Sequence, residues 1–106
     1  MSTRVSLKTS NSKVMQEVCK IMCECREYLK LNRAEMAERV GVTLPTYVSL
    51  EQGSTFSGGE YFALAFEAMG ISFGLAVLMA ETRVGRVFPM VVDLQMLMAF
   101  RKAGNE

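Results

Sequence analysis

At 106 residues, half of them hydrophobic, the chain is the length of one domain and can bury a core, which excludes an intrinsically disordered segment. Twelve Lys/Arg against eleven Asp/Glu give a net charge of +1, so any contact with nucleic acid must come from a local patch rather than a global excess. Residues 1–50 carry eight bases and five acids, whereas residues 51–82 carry four Glu and no base.

The chain divides into a polar arm at 1–12, a helical domain at 13–82 and an apolar extension at 83–106. The arm is rich in Ser and Thr, reads as flexible, and has no apolar run of the kind a secretory leader needs. Asn11 or Ser12 can start helix 1, about Lys13–Leu31. Val14, Val18, Ile21, Met22, Cys25 and Leu29 recur there at three- and four-residue spacing and form one buried face. Cys19, Cys23 and Cys25 lie on the same helix. Their spacing does not suit zinc, the chain has no His, and only Cys19 and Cys23 share a face, so they read as reduced packing residues. No metal or cofactor is expected. With no His, one Asp and no phosphate-cradling glycine motif, no nucleophile–base pair can be assembled, and an enzyme is not expected.

The segment 32–53 reads as helix, three-residue turn, helix. Asn32 and Glu35 form a capping box, Met36, Ala37 and Val40 make an apolar stripe, and Gly41 can take the left-handed conformation that ends the first helix. Thr43 caps the second helix, Pro45 fits its first turn, and Gly53 stops it. A pair this tight is the helix-turn-helix arrangement, which sets its second helix into a DNA major groove.

Ser57 and Glu60 form a second capping box before helix 4, Glu60–Met69, whose inward stripe is Tyr61, Leu64, Ala65, Ala68 and Met69. Gly70 ends it, and Ser72 caps helix 5, about Phe73–Glu81. The alternation of Phe73, Leu75, Val77 and Met79 leaves a strand open there. Tyr61–Ala80 is long enough to span a membrane, but Glu67, Gly70 and Ser72 near its middle favour two core helices, and no membrane is expected. Val84–Val92 looks extended, with Pro89 barring a central strand position, and Asp93 caps a short helix over Leu94–Lys102. This extension is too apolar to be solvated and too small to fold alone. Phe88, Val91, Val92, Leu94, Leu97 and Met98 are therefore expected to make a dimer interface.

The stretch AEMAERVGVTLPTYVSLEQG, followed by SGGEYFALAFEAMGIS, resembles the lambda-repressor-like (Cro/CI, Xre) helix-turn-helix family over about residues 14–79. The resemblance implies an all-α, five-helix DNA-binding domain, here with a short C-terminal strand or helix extension. It also implies a homodimer on a palindromic operator. By position, bases would be read by Thr43, Leu44, Pro45, Thr46, Val48, Ser49 and Gln52. Phosphate would be held by Arg33 together with the helix 2 N-terminus, and by Ser54 and Thr55 in the next loop. Arg26 and Glu51 would pair across helices 1 and 3, while Ala37, Gly41, Tyr47 and Leu50 would be structural.

The chain departs from the family where helix 3 begins. Leu44, Pro45 and Val48 offer no hydrogen-bonding side chain where Gln, Ser, Asn or Arg is usual. Two readings of Leu44 stand, base contact and core. The loop 54–59 lacks Lys and Arg, which implies a shallow salt dependence or readout of DNA shape. Three functions follow in order. The first is a cytoplasmic, nucleoid-associated repressor of bacterial or phage type. The second is an antitoxin and autorepressor with a toxin partner, suggested by a likeness of helix 4 to HipB-type antitoxins. The third is a protein–protein adaptor or anti-repressor on the same fold.

Overall fold

One long helix is the spine of the molecule. Helix α1 (Ser2–Tyr28) runs for 27 residues without a Gly or Pro. At 1.5 Å per residue it covers about 40 Å, close to the 42 Å longest dimension of the molecule. The structure, a computed structural model, describes residues 2–53, 60–85 and 93–101, with side chains from residue 13 onward. The helix begins at Ser2, not at Lys13 after a flexible arm. Asn11 and Ser12 can cap a helix, but nothing at those positions stops one already under way, since such residues cost only a fraction of a kilocalorie in a helix interior, about 0.7 kcal/mol at most.

The far end of α1 also differs from expectation, stopping at Tyr28 rather than Leu31. Lys30 adopts φ 59°, a left-handed conformation unusual outside glycine. The Lys30 and Leu31 amides donate back to the Glu27 and Arg26 carbonyls at 3.0 and 3.1 Å. That is a Schellman closure, with lysine where glycine is usual.

Beyond it come α2 (Arg33–Val40), α3 (Leu44–Gln52), α4 (Glu60–Ala68), α5 (Phe73–Arg83) and α6 (Leu94–Ala99). The described residues contain no strand, and the fold is all-α. Helices α3, α5 and α6 pack on α1, α2 packs on α3 and α4, and α5 touches both α4 and α6. One core results, with Ile21, Met22, Met36, Tyr47, Phe62, Phe66, Met79 and Leu97 at its centre. The apolar face expected on helix 1 is present: Val14, Val18, Ile21, Met22 and Cys25 are buried.

Helix α4 is rotated relative to the expected stripe. Phe62, Ala65, Phe66 and Met69 are buried, whereas Tyr61 and Leu64 remain 37% and 43% exposed. Burying two phenyl rings at i and i+4 removes more apolar area than burying Tyr61 and Leu64, and it strands no hydroxyl. At the end of α4, Gly70 (φ 76°) and Ile71 donate to the Glu67 and Phe66 carbonyls at 2.9 Å each. The chain then turns by 108° into α5, and Phe66 meets Phe73 with ring centroids 5.8 Å apart. Among the described residues no single helix is long and apolar enough to cross a membrane. Ser72 caps α5 as expected, and Ala76, Met79 and Ala80 are buried at helical spacing, which decides against a strand.

Asp93 caps α6 by accepting the Met96 amide at 3.0 Å, and the helix ends at Ala99 rather than Lys102. Leu97 is 1% exposed, and Leu94 and Met98 pack against the same core. These three were expected at a dimer interface because they lacked a home; they have one in their own chain. Helix α6 packs against both α1 and α5, while Met96 and Phe100 stay exposed. The run expected to be extended from Val84 does not start so: Val84 (φ −91°, ψ 6°) caps α5 and Gly85 takes φ 78°, because the chain is still closing the helix there. The rest of that run, with Phe88, Val91 and Val92, and the Ser57 capping box lie outside the described residues.

Candidate nucleic-acid interface

The pair α2–α3 is capped at every junction expected from the sequence. Asn32 Oδ1 accepts the Glu35 amide at 2.7 Å while Glu35 Oε1 accepts the Asn32 amide at 2.8 Å. Gly41 (φ 89°) ends α2, with its own amide and that of Val42 both donating to the Ala37 carbonyl. Thr43 Oγ1 accepts the Thr46 amide, Pro45 sits in the first turn of α3, and Gly53 (φ 72°) closes the helix. Three residues, Gly41–Thr43, therefore set the angle between the two helices.

A single carboxylate locks α3 in place. Glu51, whose side chain is 2% exposed, accepts Arg26 Nε (2.6 Å) and Tyr47 Oη (2.6 Å) on Oε2 and Arg33 Nε (2.9 Å) on Oε1. Arg26 also gives Nη1 to the Leu31 carbonyl (2.8 Å) and Nη2 to Cys23 Sγ (3.5 Å). Helices α1, α2 and α3 thus meet at one buried anion. Burial alone would raise the Glu51 pKa, but hydrogen bonds from Arg26, Tyr47 and Arg33 outweigh it and hold the carboxyl below its ordinary range. Tyr47 is pushed far up, first by burial and then by its bond to Glu51, so the phenol stays a donor. No buried side-chain nitrogen or oxygen among the described residues is left without a partner.

With the inner face of α3 fixed by Tyr47, Leu50 and Glu51, the opposite face points outward. Thr43, Leu44, Pro45, Thr46 and Gln52 are exposed, while Val48 and Ser49 are half-buried. Leu44 is 44% exposed, which removes it from the core. Arg33 lies at the start of α2 with half of its side chain exposed. Its Nε is taken by Glu51, and its two terminal nitrogens have no hydrogen-bond partner among the described residues. Ala37 and Leu50 are buried, as their structural roles require. Ser54 and Thr55 lie outside the described residues.

Sequence reasoning reached the Arg26–Glu51 pair through the family resemblance, but it missed that Arg33 and Tyr47 share the same carboxylate. Tyr47 stands four residues before Glu51, a helical spacing that could have suggested the bond. Arg33 is 18 residues away, and no local pattern points to it. The three thiols are free: Cys19 and Cys25 are buried and Cys23 is half-buried. Burial pushes the Cys19 thiol up to about 11 and that of Cys25 to about 12, so both stay protonated near neutrality.

The chain matches no family model, no curated protein and no solved structure. The geometry of α2 and α3 therefore carries the functional reading by itself.

Proposed function

We propose that this chain is a sequence-specific double-stranded DNA-binding regulator, a homodimeric repressor that covers a palindromic operator with α3 in the major groove. The observation that carries this reading is the division of α3 into two faces. Its inner face is anchored through Glu51 to α1 and α2, and its outer face is left to solvent from the first turn. A helix that is held rigidly and presented by its N-terminal half is what groove docking needs. Arg33, at the start of α2 and flanking α3, supplies cationic nitrogens for a phosphate beside the groove. Leu97 is buried in the chain's own core and Leu94 and Met98 pack against it, so in the proposed dimer α6 has a folding role whatever the contact between copies.

Selection of bound duplexes from a random pool, followed by fluorescence anisotropy, tests the reading. A preferred site should bind more tightly than random duplex at moderate salt, with a shallow salt slope, because few cations face the groove. Equal binding to selected and random duplexes counts against it. A second reading, a protein-binding module of the antitoxin or adaptor kind, is supported by Phe100. That ring is 69% exposed at the rim of a shallow cavity of about 370 Å³ lined by Ala63, Glu67, Ile71 and Phe73. A duplex-independent partner with Phe100→Ala as the disabling change would favour it.

A further inference from the structure

We infer that α3 reads thymine, its apolar edge packing on thymine 5-methyl groups in the major groove rather than hydrogen-bonding to base edges. The inference rests on the DNA-binding reading above.

The donors and acceptors at the leading end of α3 are largely consumed within the helix. Thr43 Oγ1 accepts the Thr46 amide at 3.3 Å and donates its proton to Thr46 Oγ1 at 2.9 Å. One hydroxyl proton, that of Thr46, is left over from the pair. Pro45 has no amide proton to offer. Glu51 is enclosed by its three donors, and Leu44–Gln52 contains no Lys, Arg, Asn or His. Gln52, the side chain able to grip a base at two points, stands at the trailing end of the helix, whereas recognition helices touch bases with their leading residues.

What α3 does present there is carbon. Leu44 is 44% exposed. Val48, half-buried, follows four residues later on the same face, and Pro45 lies beside Leu44. In a groove, an exposed leucine at the tip of a helix gains by covering apolar surface and has nothing to offer a hydrogen-bonding base edge. In the major groove the one apolar group that a base pair presents is the thymine methyl. Leu44 and Val48 are separated by about 6 Å along the helix axis, or about two base-pair steps of ~3.4 Å. The two side chains can therefore meet methyl groups on neighbouring or next-neighbouring pairs. The selectivity is for a methyl pattern, and the preferred half-site is rich in thymine where α3 lies.

The test uses the full chain and a duplex recovered by selection from a random pool, synthesised once with thymine and once with uracil. Uracil keeps every hydrogen-bonding group of thymine and lacks only the methyl. Binding should weaken by about four-fold for each contacted methyl, so by ten-fold or more when two or more are lost. Leu44→Ala, a change at an exposed position, should weaken binding to the thymine duplex and shrink the thymine-to-uracil ratio by about four-fold. Equal affinity for the two duplexes overturns the inference while leaving the DNA-binding reading intact. So does a ratio that Leu44→Ala does not change. Failure to recover any preferred duplex overturns both.

Discussion

Arg26 of α1 and Glu51 of α3 meet at 2.6 Å with only 9% and 2% of their side chains exposed. Removing Arg26 leaves the buried Glu51 carboxylate with Tyr47 and the half-exposed Arg33 as its donors and takes the donor from the Leu31 carbonyl. Arg26→Ala should lower the unfolding free energy by about 2–3 kcal/mol, below the full cost of an unpaired buried charge, measured by urea denaturation. Arg33→Ala, at a side chain that is half exposed, should cost clearly less. Similar losses in the two variants would mean that Glu51 is not anchored chiefly by α1.

Acidification should loosen the same centre. The Glu51 carboxyl lies below its ordinary value of 4.5 in the folded chain despite burial, because Arg26, Tyr47 and Arg33 donate to it. A depressed folded pKa adds stability above the unfolded value, and that contribution is lost as pH falls through the folded one. The thermal midpoint should therefore drop on acidification below about pH 4.5, and Glu51→Gln should be less stable at neutrality yet lose this part of the acid dependence.

At the alkaline end the sign reverses. Burial raises Cys19 to about 11 and Cys25 to about 12, against 9.0 for a free thiol. Between these values the unfolded chain gives up thiol protons that the folded chain keeps, so stability present below pH 9 declines as pH rises. A Cys19→Ala, Cys25→Ala double variant should show a flatter midpoint between pH 9 and 11 than the parent. Thiol reagents should label these two positions in the native protein more slowly than in urea.

Two left-handed turn residues make a paired test. Gly41 (φ 89°) has open space where a β-carbon would go, so Gly41→Ala should cost only the backbone strain, about 1–2 kcal/mol. Lys30 already bears that strain at φ 59°. Lys30→Gly should therefore stabilise the chain, by about 1 kcal/mol or less once the flexibility of glycine in the unfolded state is counted. Calorimetric midpoints moving in opposite directions are the expected result.

Leu97 separates a folding role from an association role for α6. Enclosed by its own chain, it should cost about 2–5 kcal/mol on Leu97→Ala. The oligomeric state by light scattering should stay as in the parent under native conditions. A variant of unchanged stability that lost an oligomer would return α6 to the interface role its apolar sequence suggested.

The legible parts of this chain were those governed by local chemistry. The Asn32–Glu35 box, the Thr43, Ser72 and Asp93 caps, and the Gly41, Gly53 and Gly70 stops were all readable, because each depends on residues within a turn of one another. Three features were not. The start of α1 at Ser2 reflects the absence of any breaker, which a search for start signals overlooks. The rotation of α4 was a competition between two overlapping apolar stripes, decided by which rings the core could take. The meeting of Arg33 with Glu51, and the docking of α6 against α1 and α5, are contacts between distant parts of the chain for which no local spacing exists. On the proposed interface, the identity of the exposed α3 residues followed from position, but the mutual satisfaction of Thr43 and Thr46 needed coordinates.

Glu51 also decides where flexibility can reside. Because one carboxylate ties α3 to both α1 and α2, the helix cannot tilt or slide without breaking two charged hydrogen bonds at once. If α3 docks in a groove as proposed, a duplex that does not match its fixed position would have to bend or widen, and the duplex's own stiffness would enter the binding free energy. Base pairs that no side chain touches would in that way still be selected, by how readily they deform.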